Sequence, residues 1–368
     1  MKYIWPLVFF VLPLLGLSYV LWHVWHLLPL PLVWRRVVVG ICLVLFFSLF
    51  VAFSGALERL PMSIASIIYT TGNSSIFVML YLVMLFLMLD VASLVHIIPR
   101  AWLFNNGYMA LGISLVMLAV FGYGNVHYNR KARVPVEVTT GKDASAKIVF
   151  LSDLHLGYHN HRGELKRWVD MINAEHPDLI LIGGDICDIS VRPLLEENMA
   201  EEFRRLNAPV YACLGNHEYY SGVSSSMQFY REAGITLLRD SVAKVDGLCI
   251  IGRDDRTNPR RRALETLIPE ENDAKKSREF TILLDHQPHC LEEAEHVGID
   301  LQLSGHTHHG QVWPVSMITD AIFEDAFGKL QKGNTLYYVT SGIGIWGGKF
   351  RIGTRSEYVV INIIPTPR

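Results

Sequence analysis

Hydrophobic positions divide the chain near residue 128. Residues 5–28, 37–53, 76–98 and 109–123 are apolar stretches near or within the length that crosses a hydrocarbon core, which predicts a bundle of about four transmembrane helices. Pro6 and Pro13 interrupt the first stretch, and the last is short unless extended back to Phe104. The first stretch lacks a small-residue cleavage site and is followed by further spans, so a multi-pass anchor is expected.

Beyond the anchor the period of the pattern changes. Residues 147–151, 179–182, 210–214, 281–284 and 301–303 are short apolar runs that read as strands. Between them lie helical patterns: 163–175 puts Leu165, Trp168, Val169 and Ile172 on one face, and 194–206 is similar. Strands alternating with helices predict an α/β layered fold with ligands gathered outside the carboxyl ends of the strands. Later runs at 248–251, 336–339 and 358–363 predict a second sheet packed on the first. The expected division is 1–128 as a multi-pass membrane domain, 129–146 as a basic linker with a short strand within 134–146, and 147–368 as a globular domain.

Charge sharpens this division. Only five of the 33 basic and two of the 35 acidic residues precede Tyr128, so the remainder is acidic by five charges and offers no broad surface for long nucleic acids. Mean hydropathy is +0.26. The five cysteines show no C-x-x-C spacing and read as small buried thiols in a reducing compartment. With four spans, Lys2, Arg59 and the cluster Arg130, Lys131 and Arg133 share one side, against Arg35, Arg36 and Arg100 on the other. The positive-inside rule then puts the globular domain in the cytoplasm, anchored in the inner membrane. Asp90 falls inside the third span and His96 near its end. A single carboxylate there can pair with a neighbouring helix, and no path of charged residues suggests a transporter.

The chemistry sits at the strand ends. Asp153 and His155 follow the first run, Asp185 the second, Asn216 the third, His286 the fourth, and His306 and His308 the fifth. Carboxylate, amide oxygen and imidazole suit hard or borderline divalent cations. Seven ligands exceed the needs of one ion, and a carboxylate such as Asp185 can bridge two, so a dinuclear site is expected. Two such metals clamp a phosphoryl oxygen and lower the pKa of a bridging water, producing hydroxide for in-line attack on phosphorus.

The ordered motifs SDLHLG, GGD, GNHE, DHQPH and GHTHHGQ, at residues 152–157, 183–185, 215–218, 285–289 and 305–311, resemble the calcineurin-like metallophosphoesterase superfamily. The GHTHHGQ tract and the ending at 341–363 resemble its membrane-associated bacterial branch. The resemblance implies a four-layer α-β-β-α sandwich and a metal-dependent phosphoric ester hydrolase, with pyrophosphate hydrolysis also open. It implies two divalent ions, whether manganese, iron, zinc or magnesium. Asp153, His155, Asp185 and His308 would hold one, and Asp185, Asn216, His286 and His306 the other. His217 would contact phosphate and protonate the leaving group, with Glu218 placed to orient it. Asp188, His159 and His161 are expected to support the site. His309 stands where related sequences often carry Gly.

Two segments bear on the substrate. The basic loop with Arg253, Arg256 and residues 260–262 is either a solvated surface or a contact for phosphate. Residues 313–330 set Trp313, Ile322 and Phe323 close after the last ligands, either as core or as an insertion facing the bilayer that admits an acyl chain. With the anchor, these segments point to a phosphorylated, lipid-borne substrate and to the lipid bilayer as partner. A phosphodiesterase acting on a soluble nucleotide and a non-catalytic membrane sensor are the competing readings. Oligomeric state is not legible.

Overall fold

The computed structural model describes residues 11–268 and 279–366. The chain forms two compact units, residues 1–126 with 347–349, and residues 127–346 with 350–368.

The first unit is helical: α1 (Leu12–Leu27), α2 (Leu32–Phe53), α3 (Met62–Leu94) and α4 (Gly107–Asn129). Among the described residues, α2, α3 and α4 are each long and apolar enough to cross a membrane. Residues 5–10 of the first expected span lie outside the described residues. α3 begins well before the expected residue 76 because its polar side chains bond back to its own carbonyls. Thr71 Oγ1 donates to Ile67 O (2.7 Å) and Ser75 Oγ to Gly72 O (2.7 Å), so neither ends the helix. A Cβ at Gly72 would lie 2.6 Å from Leu49 N, so α2 and α3 pack backbone to backbone there.

The second unit contains twelve described strands: β1 (Lys131–Thr140), β2 (Ala146–Leu151), β3 (Leu179–Ile182), β4 (Val210–Ala212), β5 (Thr236–Leu237), β6 (Ser241–Val245), β7 (Leu248–Gly252), β8 (Phe280–Leu284), β9 (Leu301–Ser304), β10 (Gly328–Lys332), β11 (Thr335–Val339) and β12 (Ser356–Pro365). They form two six-stranded sheets, ordered β1-β12-β2-β3-β4-β5 and β10-β11-β9-β8-β7-β6. Alternation along each strand explains the layers. On β2, Ile148 and Phe150 join Ile250, Ile282 and Leu303 in a core between the sheets. Val149 and Leu151 face the opposite way, joining Leu165, Trp168 and Phe229 under the helices of the first sheet. Cys249, Ile251 and Leu283 of the second sheet pack with Leu264, Leu291 and Ala294. The result is a four-layer α-β-β-α sandwich. Its helices are α5 (Arg162–Ala174), α6 (Arg192–Glu196), α7 (Met199–Phe203), α8 (Asn216–Ser221), α9 (Val223–Glu232), α10 (Glu292–Val297) and α11 (Val315–Ile322).

Two expectations are corrected here. Residues 129–146 are not a linker, because β1 pairs with β12 in parallel register over ten residues. The short strand expected within 134–146 is longer and starts earlier; as an edge strand it tolerates the missing donor of Pro135, and the Val136 side chain is fully buried. The helix expected over 194–206 is two short ones, broken at Asn198, whose φ of 52° is left-handed. The described cysteines are all free, with Cys187, Cys213 and Cys249 buried.

Candidate metal centre

Loops leaving the carboxyl ends of β2, β3, β4, β8 and β9 converge on one pocket floor. The backbone there is unusual: Asp153, His155, Asp185, His306 and His308 all have φ between 45° and 70°. Left-handed backbone at five non-glycine residues is sustained only by the surrounding structure, and it turns each side chain back towards the common centre. The loops are also tightly nested. A Cβ at Gly215 would run into the Asp185 carboxylate, and one at Gly305 into those of Asp153 and Ser152 Oγ, so close approach requires glycine at both places.

Two clusters result. In the first, His155 Nε2 lies 3.0 Å from His308 Nε2, 3.8 Å from Asp153 Oδ1 and 3.7 Å from Asp185 Oδ2. In the second, His286 Nε2 lies 3.1 Å from Asp185 Oδ2 and 3.2 Å from Asn216 Oδ1, and His306 Nδ1 lies 2.8 Å from the same Asn216 oxygen. Asp185 belongs to both. The triplets Asp153, His155, His308 and Asp185, His286, His306 each bring ligand atoms within 4.8 Å of one another.

The donor chemistry fits divalent cations. His286 Nδ1 is 2.7 Å from Gly183 O, and a carbonyl can only accept, so this nitrogen carries the proton. The lone pair on His286 Nε2 then faces two oxygens that are also acceptors. A positive charge, from a metal ion or a second ring proton, resolves that clash. In the first cluster two imidazole Nε2 atoms face each other at 3.0 Å, an approach that a shared proton or a cation can bridge. Burial disfavours the charged ring of His155, but hydrogen bonds to Asp153 and Asp188 outweigh it and push its pKa up to about 10. Burial opposes the charged carboxylate of Asp185, yet His286 and His217 hold it well below the usual range. His306 goes the other way, pulled down to about 4 by burial and then by the charge on His286.

Of the supporting residues expected, Asp188 and His159 stand at the site, while Glu218 and His161 have other partners. Glu218 does not orient His217. It is the N3 residue of α8, and its carboxylate accepts hydrogen bonds from Gly215 N (2.7 Å), Asp185 N (3.1 Å) and Cys187 N (3.0 Å), which locks two ligand loops together. Burial, then the charge on Asp185, raises its pKa. Asp188 takes the orienting part instead: its Oδ1 faces His217 Nδ1 at 3.0 Å and His155 Nδ1 at 3.3 Å. His159 stands beside it, with Nε2 2.7 Å from Ile345 O and Nδ1 3.7 Å from Asp188 Oδ2. His161 is elsewhere, pairing with Glu197 at 2.7 Å. His309 stacks on Phe327 (centroids 4.6 Å) and reaches Asp320 Oδ1 at 3.3 Å, which ties the ligand turn to α11.

The candidate substrate contacts separate. Arg253 is 5% exposed and paired with Asp285 (3.1 Å) and Glu293 (2.7 Å), so it is a structural cation and not a phosphate contact. Arg256 is exposed and donates to Cys290 Sγ at 3.5 Å. Phe323 sets its ring against His289 (4.8 Å) and His306 (6.2 Å), at the edge of the second cluster. Trp313 and Ile322 are 49% and 63% exposed, and α11 also exposes Met317 and Ile318. Arg351 was missed by sequence reasoning. It is fully buried, donates from Nη1 to His308 O (2.6 Å), and props the turn bearing His308. An arginine inside the glycine-rich tract 341–363 was its only signal.

A family model described as calcineurin-like phosphoesterase matches residues 146–310. An uncharacterized metallophosphoesterase of Campylobacter jejuni is 30% identical over 260 residues, covering 68% of this chain and 69% of that protein. One from Helicobacter pylori strain J99 is 29% identical over 266 residues, 71% of each chain. A zebrafish (Danio rerio) transmembrane protein with metallophosphoesterase domain is 34% identical over 284 residues, 71% of this chain and 63% of that protein.

Proposed function

The chain belongs to the calcineurin-like phosphoesterase family, and from that we propose that it hydrolyses a phosphoester or pyrophosphate bond in a lipid-borne substrate at a paired metal centre. The observation that carries the lipid reading is the exposed apolar face of α11, with Trp313 just before it and Phe323 just after it against His306. A water-soluble substrate needs no such face at the rim of a polar site, whereas an acyl chain does. Three helices able to span a bilayer among the described residues support it.

Asp153, His155, Asp185 and His308 would hold one cation, and Asp185, Asn216, His286 and His306 the other. Divalent cations bound there supply positive charge that polarises a phosphoryl oxygen and activates water. The remaining steps belong to side chains of the chain. Asp188 fixes the His217 ring through Nδ1, which leaves Nε2 to meet the phosphoryl oxygens and to pass a proton to the departing oxygen. Glu218 keeps the loops of Asp185 and Asn216 in register through the three backbone N–H groups it binds. On a count of four spans, the basic residues next to the membrane helices favour a cytoplasmic catalytic domain anchored in the inner membrane.

The test is hydrolysis by the detergent-purified chain, with manganese, of aryl phosphomonoesters and diesters, phospholipids, lipid pyrophosphates and nucleotides, beside Asp185→Asn. Turnover of a lipid substrate that falls by about 10²-fold or more in the variant is expected. Turnover confined to nucleotides would replace the lipid reading, and absence of metal-dependent turnover throughout would support a sensor.

A further inference from the structure

The membrane unit contains a polar cluster with no part in the hydrolytic site. Asp90, near the end of α3, accepts hydrogen bonds on Oδ2 from Tyr19 Oη (2.5 Å) and lies 3.0 Å from His23 Nε2, both on α1. The His23 ring is buried, stacked on Phe86 with centroids 4.4 Å apart. A carboxylate that served only to join two helices would be enclosed by them. The Asp90 side chain is instead 40% exposed, in the wall of a cavity of about 780 Å³.

The lining of that cavity has two characters. His23, Asp90, Ser93, His96 and Arg100 are polar, while Leu94, Ile97, Ile98 and Leu103 are apolar, and Trp22 and Phe104 add aromatic faces in mutual edge contact at 6.0 Å. A carboxylate beside aromatic rings attracts an ammonium group, and a guanidinium in the same wall attracts a phosphate. Neither an anion nor a simple cation is matched by both charges together, and the apolar remainder of the wall has no use for a water-soluble ligand. We propose that this cavity binds the headgroup of a zwitterionic phospholipid, with its ammonium at Asp90 and its phosphate at Arg100. Tyr19 and His23 then act as the fixed partners that keep the Asp90 carboxylate aimed while no lipid is bound. The cavity volume is within the range of ligand sites and larger than a headgroup alone, which leaves room for the start of the acyl chains. This inference is independent of the catalytic reading.

Native mass spectrometry of the delipidated full chain tests it, with phosphatidylethanolamine, phosphatidylcholine and phosphatidylglycerol of identical acyl chains added in turn. The wild type is expected to retain phosphatidylethanolamine over phosphatidylglycerol by about tenfold, and Asp90→Asn to lose that preference. Arg100→Gln is expected to weaken all three lipids while keeping their order. Equal retention of the zwitterionic and anionic lipids by the wild type, or an undiminished preference in Asp90→Asn, would overturn the proposal. If Asp90→Asn does not fold, Ser93→Phe, which fills the cavity without altering its charge, is expected to abolish retention, and unchanged retention would be equally decisive. Soluble phosphoethanolamine is expected to compete weakly, and competition as strong as the lipid's would overturn the amphiphile as ligand.

Discussion

At the residue scale, His217 and Asp325 make different demands on their surroundings. The His217 ring is held by Asp188 and lies edge-on to His155, with centroids 4.5 Å apart. If it delivers the proton to the leaving oxygen, the cost of losing it depends on how much that oxygen needs one. His217→Asn should therefore lower kcat by about 10²-fold or more for an alkyl ester but much less for a p-nitrophenyl ester. Equal losses on the two esters would show that the ring only binds phosphate. Asp325, between α11 and β10, is buried, and its Oδ2 has no partner among the described residues. Burial pushes its pKa up to about 6. An acid whose pKa is higher in the folded than in the unfolded chain stabilises the fold in its neutral form. That contribution is complete below the ordinary aspartate value and is lost as pH rises through about 6. Asp325→Asn should accordingly raise Tm by about 2–4 °C at neutral pH and leave it unchanged near pH 4, as read by calorimetry.

At the element scale, α11 separates two roles that the sequence merged. Residues 313–330 read either as core or as a lipid-facing insertion, and the structure packs one part of them inward and leaves the other exposed. Phe323 packs inward on His289 and His306, while Met317, Ile318 and Ile322 face outward. Outward residues can be changed without disturbing the ligands, so Ile318→Ser with Ile322→Ser should raise KM for a lipid substrate by about tenfold and leave hydrolysis of a soluble aryl phosphate intact. Steady-state kinetics on the two substrates distinguishes this from general damage, which would lower both. β1 makes a similar point, since the stretch with Val134, Val136 and Val138 reads as a linker with a short strand, and its full ten-residue length shows only with β12 beside it.

At the scale of the whole molecule, β1 decides where the globular domain begins. A fragment starting at residue 147 would expose the long edge of β12, which pairs with β1 at ten positions, and strip cover from the core between the sheets. Such a fragment should aggregate on size-exclusion chromatography, whereas one starting at residue 127 should elute as a folded species. Aggregation of both would indicate that the membrane helices are required for folding.

The sequence by itself determined what is local in origin. Strand ends, turn glycines, the seven candidate ligand residues and the apolar spans are each written within a few adjacent positions, because side-chain period and turn chemistry act over that range. The tertiary structure decided what depends on partners distant in the chain. Arg253 looks like a phosphate contact until Asp285 and Glu293 close on it, 32 and 40 residues away. Glu218 looks like an orienter of its neighbour His217 until its carboxylate is seen to bind the backbone of Asp185 and Cys187. Asp188 takes the orienting place, and Asp90 gains two partners and a cavity, for the same reason. A polar side chain acts on what folding brings within hydrogen-bond distance, and sequence periodicity carries no record of that partner.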